Sequence, residues 1–419
     1  MTATFSPLAT GRRDFKVISL IGTAHFFSHF YILVLPPLFP LLRDAYGVGY
    51  TALGLALAVL NGVTGLTQAP VGFLVDRFGA RAPLIAGLAL FSLAIGLIGL
   101  FPSYPMLLAL MVVAGLGNSV FHPADYAILS SAVDQRRMGR AFSIHTFGGY
   151  AGFAVAPPVI VFLAAAFDWR IALALAGAAG LVVSFLLVIN SDVLHSDAHL
   201  GRRLAARSGA GVAGIRLLVS GPILMALLFY AMLAFTLGGY MSFSVAAIQA
   251  LYRVPLADAT TPLTTYLTAS AIGVLAGGWI ADRTHRHQYV VGGSFLLVAL
   301  FSALIPELLP PLVITALLFG LAGFFSGVVA PSRDMMVRAV TPPGASGKVF
   351  GFVTTGFNVG GIAAPLLFGA VLDYGDPGLV FWTVAALSLL TLLVVYGTAR
   401  AGQQPRAAPP AVDLRPGGS

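Results

Sequence analysis

Cysteine is absent from all 419 residues, so no disulfide and no thiolate metal site can form. Charge is also scarce. Only 9% of residues are charged against 58% hydrophobic, an apolar excess that a soluble chain of this length has no core to hide. Glutamate occurs once, at Glu307, and no phosphate-binding Gly-Lys loop is present; no enzyme, catalytic residue or cofactor is expected. The first apolar run carries no small-residue cleavage pattern, so it reads as a retained helix rather than a signal peptide. The apolar runs also lack the polar alternation that strands of a membrane barrel require.

What remains is a series of continuous apolar runs, each near the roughly 20 residues that cross about 30 Å of hydrocarbon as a helix. Charged residues and Pro/Gly clusters divide the chain into spans at about 17–42, 50–75, 82–101, 105–131, 140–167, 170–190, 217–250, 258–281, 288–306, 311–334, 347–373 and 377–398. The expected fold is therefore an all-α membrane protein of twelve transmembrane helices. Residues 1–190 form the first bundle of six, 191–216 a basic linker, 217–398 the second bundle of six, and 399–419 a Pro-rich disordered tail.

Of the 23 Lys and Arg, all but Arg43, Arg170, Arg253 and Arg333 fall at the termini or on the even-numbered connections. Basic residues near helix ends stay in the cytoplasm. Both termini, the linker and the tail are thus expected to be cytoplasmic, in a multi-pass protein of the cytoplasmic (inner) membrane. The formal charge of +8 reflects topology, not binding of nucleic acid.

The two halves repeat. A shift of 208 residues lays Pro123 on Pro331, Gly139 on Gly347, Thr146 on Thr354, Gly148 on Gly356, Gly152 on Gly360 and Pro157 on Pro365; a shift of 206 lays Gly72 to Arg77 on Gly278 to Arg283. Parallel repeats of this kind predict two pseudo-symmetric bundles about an axis along the membrane normal, with a site between them near the midplane. Glycines four apart, at 148 and 152 and at 356 and 360, suit close helix packing.

The segment Gly72-Phe73-Leu74-Val75-Asp76-Arg77-Phe78-Gly79-Ala80-Arg81 resembles the loop between helices 2 and 3 of major facilitator superfamily transporters. That resemblance covers all twelve spans and includes a weaker copy at Asp282 and Arg283. It implies secondary transport of a small-molecule solute by alternating access, in a monomer within the lipid bilayer. It also implies gating by Asp76, Arg77, Arg81, Asp282 and Arg283. Within the superfamily, Gly117-Asn118-Ser119-Val120-Phe121-His122-Pro123 is similar to the matching stretch of fosmidomycin-resistance-type exporters. Met111 stands where drug antiporters usually carry an Arg, and their helix 5 motif survives only as Gly148, Gly152, Ala156 and Pro157.

Ionisable side chains at membrane depth are costly and usually face a partner or a watery path. His25 and His29 lie four apart on one helix face, His29 about 20 Å beyond Lys16 at 1.5 Å per residue. His122 and Asp125 are three apart on another, and His145 lies within two turns of the basic end. The repeat sets Arg333 opposite Asp125. The expected proton-coupling group is His25, His29, His122 and Asp125, with protons as coupling ion; the expected solute contacts are His29, Asn61, His122, Arg333, Asn358 and Tyr230, for an anionic organic solute. Other readings stand beside these. His25 and His145 would serve equally as packing residues, Arg333 and Asp334 as charges at a helix end, and Tyr31, Tyr240 and Tyr266 as cavity contacts or interface anchors. The same histidines would suit a divalent metal as cargo, although no resident metal is expected, and drug or antibiotic export by proton antiport is the other alternative. A non-transporting sensor is disfavoured by the short termini.

Overall fold

A computed structural model describes residues 7–194, 217–342 and 346–403. Among the described residues, twelve helices are long and apolar enough to cross a membrane, and the expected fold class holds. They are α1 (Gly11–Tyr46), α2 (Tyr50–Phe78), α3 (Arg81–Leu100), α4 (Tyr104–Ala132), α5 (Gln135–Ala166), α6 (Trp169–Ile189), α7 (Gly221–Tyr252), α8 (Leu256–Ala281), α9 (His287–Leu308), α10 (Leu312–Val340), α11 (Val349–Tyr374) and α12 (Leu379–Gly397). Residues 195–216 of the expected linker and 404–419 of the expected tail lie outside the described residues.

The repeat is visible in the packing. In the first half α1 packs on α5, α3 on α6, and α4 on both α2 and α3; in the second, α7 packs on α11, α9 on α12, and α10 on both α8 and α9. The glycine pairs make the α1–α5 and α7–α11 contacts possible. A Cβ at Gly148 would stand 2.7 Å from the Gly22 carbonyl oxygen and one at Gly356 2.5 Å from that of Leu227, while Gly152 and Gly360 would strike the carbonyls of Phe26 and Ala231.

Several spans are broken, each for a local reason. Pro123 cannot donate to the Ser119 carbonyl and crowds it, so α4 is interrupted between Asn118 and Phe121. A 3-10 turn over Pro36–Leu38 breaks α1, and a π turn over Gly239–Phe243 breaks α7; the two turns pack on each other. The tenth span runs further than expected. It reaches Val340 rather than ending near residue 334, which puts Arg333 and Asp334 inside the helix and removes the helix-end reading of that pair.

Among the described residues the bundles meet mainly through two helix pairs, α2 with α11 and α5 with α8, beside the contact of the α1 and α7 turns. At the face opposite the basic one, α2 and α11 are in tight contact: a Cβ on Gly54 would overlap the Pro365 carbonyl, and one on Gly369 would stand 2.7 Å from Thr51. Contact continues inward to Gly65 and Asn358. Further toward the basic face, Gly72 on α2, Gly351 on α11 and Gly278 on α8 have nothing within 4 Å of a Cβ position. The bundles thus meet at one face and part toward the basic one.

Candidate functional site

The break in α4 sets Asp125 in the first bundle, where it is fully buried. One carboxylate oxygen, Oδ2, lies 3.0 Å from His145 Nε2 on α5 and 3.2 Å from His25 Nδ1 on α1. The contact to His145 is a hydrogen bond; His25 Nδ1 sits off the line that a second would need. Both histidines are buried, and their rings stack with centroids 3.7 Å apart and planes 24° apart. His29 lies against His25 at 4.5 Å, and His122 at 5.7 Å. His122 is exposed and forms the open side of the cluster.

The four residues expected from the sequence, His25, His29, His122 and Asp125, thus lie together, and His145, which was not grouped with them, is the closest partner of Asp125. His145 was legible as a membrane histidine; its contact with Asp125 arises only when α5 folds against α1. Close histidines and a carboxylate also invite a metal reading, since the ligand atoms of His25, Asp125 and His145 all lie within 4.8 Å of one another. A coordinated ion must lie near the plane of each imidazole. The His25 and His145 rings are stacked with planes 24° apart, so an ion in the plane of one lies off the plane of the other at coordination distance.

In the second bundle the Arg333 guanidinium lies over the Tyr230 ring at 4.6 Å and the Phe357 ring at 5.3 Å. Its Nε donates to Asp334 Oδ1 at 2.9 Å, and the Tyr230 hydroxyl donates to the same oxygen at 2.7 Å. Nε is thereby committed to Asp334, which leaves the two terminal nitrogens as the edge available to an anion. Arg333 pairs with its neighbour in sequence and not with Asp125; each half satisfies its own charge. Tyr126 and Tyr150, from α4 and α5, lie within electrostatic reach of Asp334, and Tyr150 also of Arg333. Tyr126 in addition stacks near His122 at 6.1 Å and lies 5.5 Å from His145. Neither tyrosine stood out in the sequence, although the 208-residue shift pairs Tyr126 with Asp334.

The remaining expectations divide. Asn61 and Asn358 lie in the α2–α11 seam, Asn61 beside Gly361 and Asn358 beside Gly65, with Asn61 Nδ2 donating to the Leu57 carbonyl. Tyr31 and Tyr240 are internal struts: Tyr31 bonds Ser92 and Ala176, and Tyr240 bonds Ser302. Tyr266 stacks on Tyr240 at 4.5 Å. Among the expected gate residues, Arg77 lies over the adjacent Phe78 ring, Arg81 donates to the Ser191 carbonyl, and Arg283 folds back on Trp279. Asp76 is half-buried and Asp282 exposed. Each of these arginine contacts stays within its own half. Met111 is fully buried among apolar residues.

A sequence profile of the Major Facilitator Superfamily matches residues 21–261 and 239–416. The chain is 25% identical over 393 residues to the fosmidomycin resistance protein of Escherichia coli (strain K12), spanning 92% of this chain and 93% of that protein. It is 27% identical over 391 residues to the uncharacterized MFS-type transporter YfnC of Bacillus subtilis (strain 168), spanning 91% and 93%. In fold it is similar to a bacterial homologue of the human lysosomal transporter Spinster, solved inward-facing and occupied, with TM-score 0.70, 15% identity, and coverage of 92% of this chain and 95% of that one.

Proposed function

The chain belongs to the major facilitator superfamily of membrane transporters, and on that premise we propose that it moves a small organic anion by alternating access, coupled to protons. The carrying observation is the fully buried Asp125 held by His145 and bordered by His25, with His122 at its open edge. A carboxylate in this position costs several kcal/mol in lipid surroundings and performs no packing task that an apolar residue would not perform better. A proton taken up at His122 passes through the imidazole cluster to Asp125, which becomes neutral and leaves His145 without its anionic partner. Because His145 belongs to α5, a first-half helix that packs on α8 of the other bundle, this change of charge is delivered to the moving seam.

The solute binds in the gap on the opposite wall. The terminal nitrogens of Arg333 take an anionic group in bidentate fashion, with Tyr230 below the guanidinium, and His29 and His122 are the solute contacts assigned to the first bundle. With the basic face cytoplasmic, the arrangement described is open to the cytoplasm. Asp76, Arg77, Arg81, Asp282 and Arg283 would engage the facing half only when that face closes.

Purified protein in liposomes tests the coupling. Solute addition is expected to produce an internal pH change that is lost in Asp125→Asn and strongly reduced in His145→Ala and His122→Ala; unchanged pH signals in all three would remove the assignment. Export is the second reading of direction, favoured by the similarity to a protein named for fosmidomycin resistance and to the multi-drug efflux pump PmrA of Streptococcus pneumoniae serotype 4, 25% identical over 385 residues. Accumulation in inverted vesicles against accumulation in right-side-out vesicles decides it.

A further inference from the structure

Helix α2 begins without a cap of its own. Gly49 occupies the N-cap position and has no side chain to meet the free N–H groups of the first turn. Those groups are met from the other bundle. Asp373, near the end of α11, accepts from Tyr50 N at 2.7 Å through one oxygen, and from Thr51 N at 2.8 Å and Thr51 Oγ1 at 2.7 Å through the other. Glycine at 49 is what admits the carboxylate: a Cβ there would stand 2.6 Å from Asp373 Oδ2.

Three other aspartates at helix ends act locally. Asp168 accepts from Arg170 N, Asp134 from Arg136 N and Asp376 from Gly378 N. Asp373 is different because its own chain already has Asp376 for the turn that follows. The pseudo-symmetric seam also lacks the device. The 208-residue shift puts Ala165 on α5 where Asp373 stands on α11, and the 206-residue shift puts Pro255, Leu256 and Ala257 where Gly49, Tyr50 and Thr51 stand.

We propose that Asp373 is a positioning residue for transport: it caps α2 across the bundle interface and thereby holds shut the face opposite the basic one. The carboxylate gains the positive end of the α2 dipole and three donors only while α2 and α11 are together. When that face opens, the first turn of α2 and the carboxylate must each exchange these bonds for water. Opening on the α2–α11 side is therefore opposed by these bonds, which have no counterpart in the α5–α8 seam. The inference rests on alternating access but on nothing about protons or solute.

Absence of cysteine makes the test direct, since introduced cysteines are the only labelling sites. Spin labels at Phe101→Cys and Leu308→Cys, both exposed at the face in question and in different halves, report its opening by double electron–electron resonance without solute or pH gradient. Loss of a charge-assisted bond worth about 1.5 kcal/mol or more shifts a two-state population by at least about tenfold. Asp373→Asn is expected to raise the long-distance population by that factor, and Thr51→Val, which removes one bond of three, to raise it less. Identical distance distributions in the parent and Asp373→Asn would overturn the proposal. If Asp373→Asn gives too little folded protein, Thr51→Val decides alone, and an unshifted distribution there overturns it equally. Failure of proton coupling at Asp125 leaves this readout unaffected, so the two ideas fall separately.

Discussion

At the scale of single residues, the two halves use the same scaffold for different chemistry. Asp125 and Arg333 occupy equivalent positions, yet the first is enclosed by imidazoles and the second by aromatic rings and a neighbouring carboxylate. Guanidinium geometry matters here, because one planar group must stack on Tyr230, donate from Nε to Asp334 and still present a two-nitrogen edge. Lysine cannot do all three. Arg333→Lys is expected to weaken solute binding about tenfold or more, equivalent to roughly 1.4 kcal/mol, read as the midpoint of solute-dependent thermal stabilisation, with little change in Tm of the solute-free protein. Sequence spacing found most of these residues, since i to i+3 and i to i+4 relations place side chains on one helix face. It could not choose between a packing histidine and a functional one at 145, because that depends on which side of α5 meets α4.

At the scale of elements, prolines and glycines decide where helices bend and how closely they approach. Pro123 interrupts α4 one turn before Asp125, and so helps aim His122 and Asp125 at different surroundings, one exposed and one sealed. Gly152 lets α5 lie against α1, which is the contact that carries His145 to His25. A Cβ there overlaps the Phe26 carbonyl, and backbone cannot move aside as a side chain can. Gly152→Leu is therefore expected to destabilise the first bundle by about 1–3 kcal/mol or more, measured as a fall in the thermal unfolding midpoint in detergent. Asn61 and Asn358, expected at the solute, lie half-buried in the α2–α11 seam between the bundles, beside Gly361 and Gly65.

At the scale of the whole molecule, the α2–α11 seam shows how the other state is built. The contacts Gly54–Pro365, Asn61–Gly361 and Gly65–Asn358 advance in antiparallel register; continued toward the basic face, that register brings Gly72 to Gly351, both open to space in the state described. Gly72→Leu is expected to leave the fold and Tm unchanged but to block closure of the basic face, seen as loss of the short-distance population between spin labels across it and loss of transport. Gly54→Leu, which would strike the Pro365 carbonyl, is expected to favour opening of the opposite face.

Sequence by itself determined that the chain spans a membrane twelve times in two related halves, because hydrophobic length, basic loops and the spacing of glycines and prolines are properties of the chain read in order. It also marked Asp125, three of its histidines and Arg333, because polar groups at membrane depth stand out against an apolar background. Tertiary structure alone decided that His145 holds Asp125, that Asp334 holds Arg333, and that Asp373 caps α2 from the far bundle. Those contacts join residues distant in sequence or depend on which side of a helix is covered, and no local pattern encodes the angle at which two bundles meet.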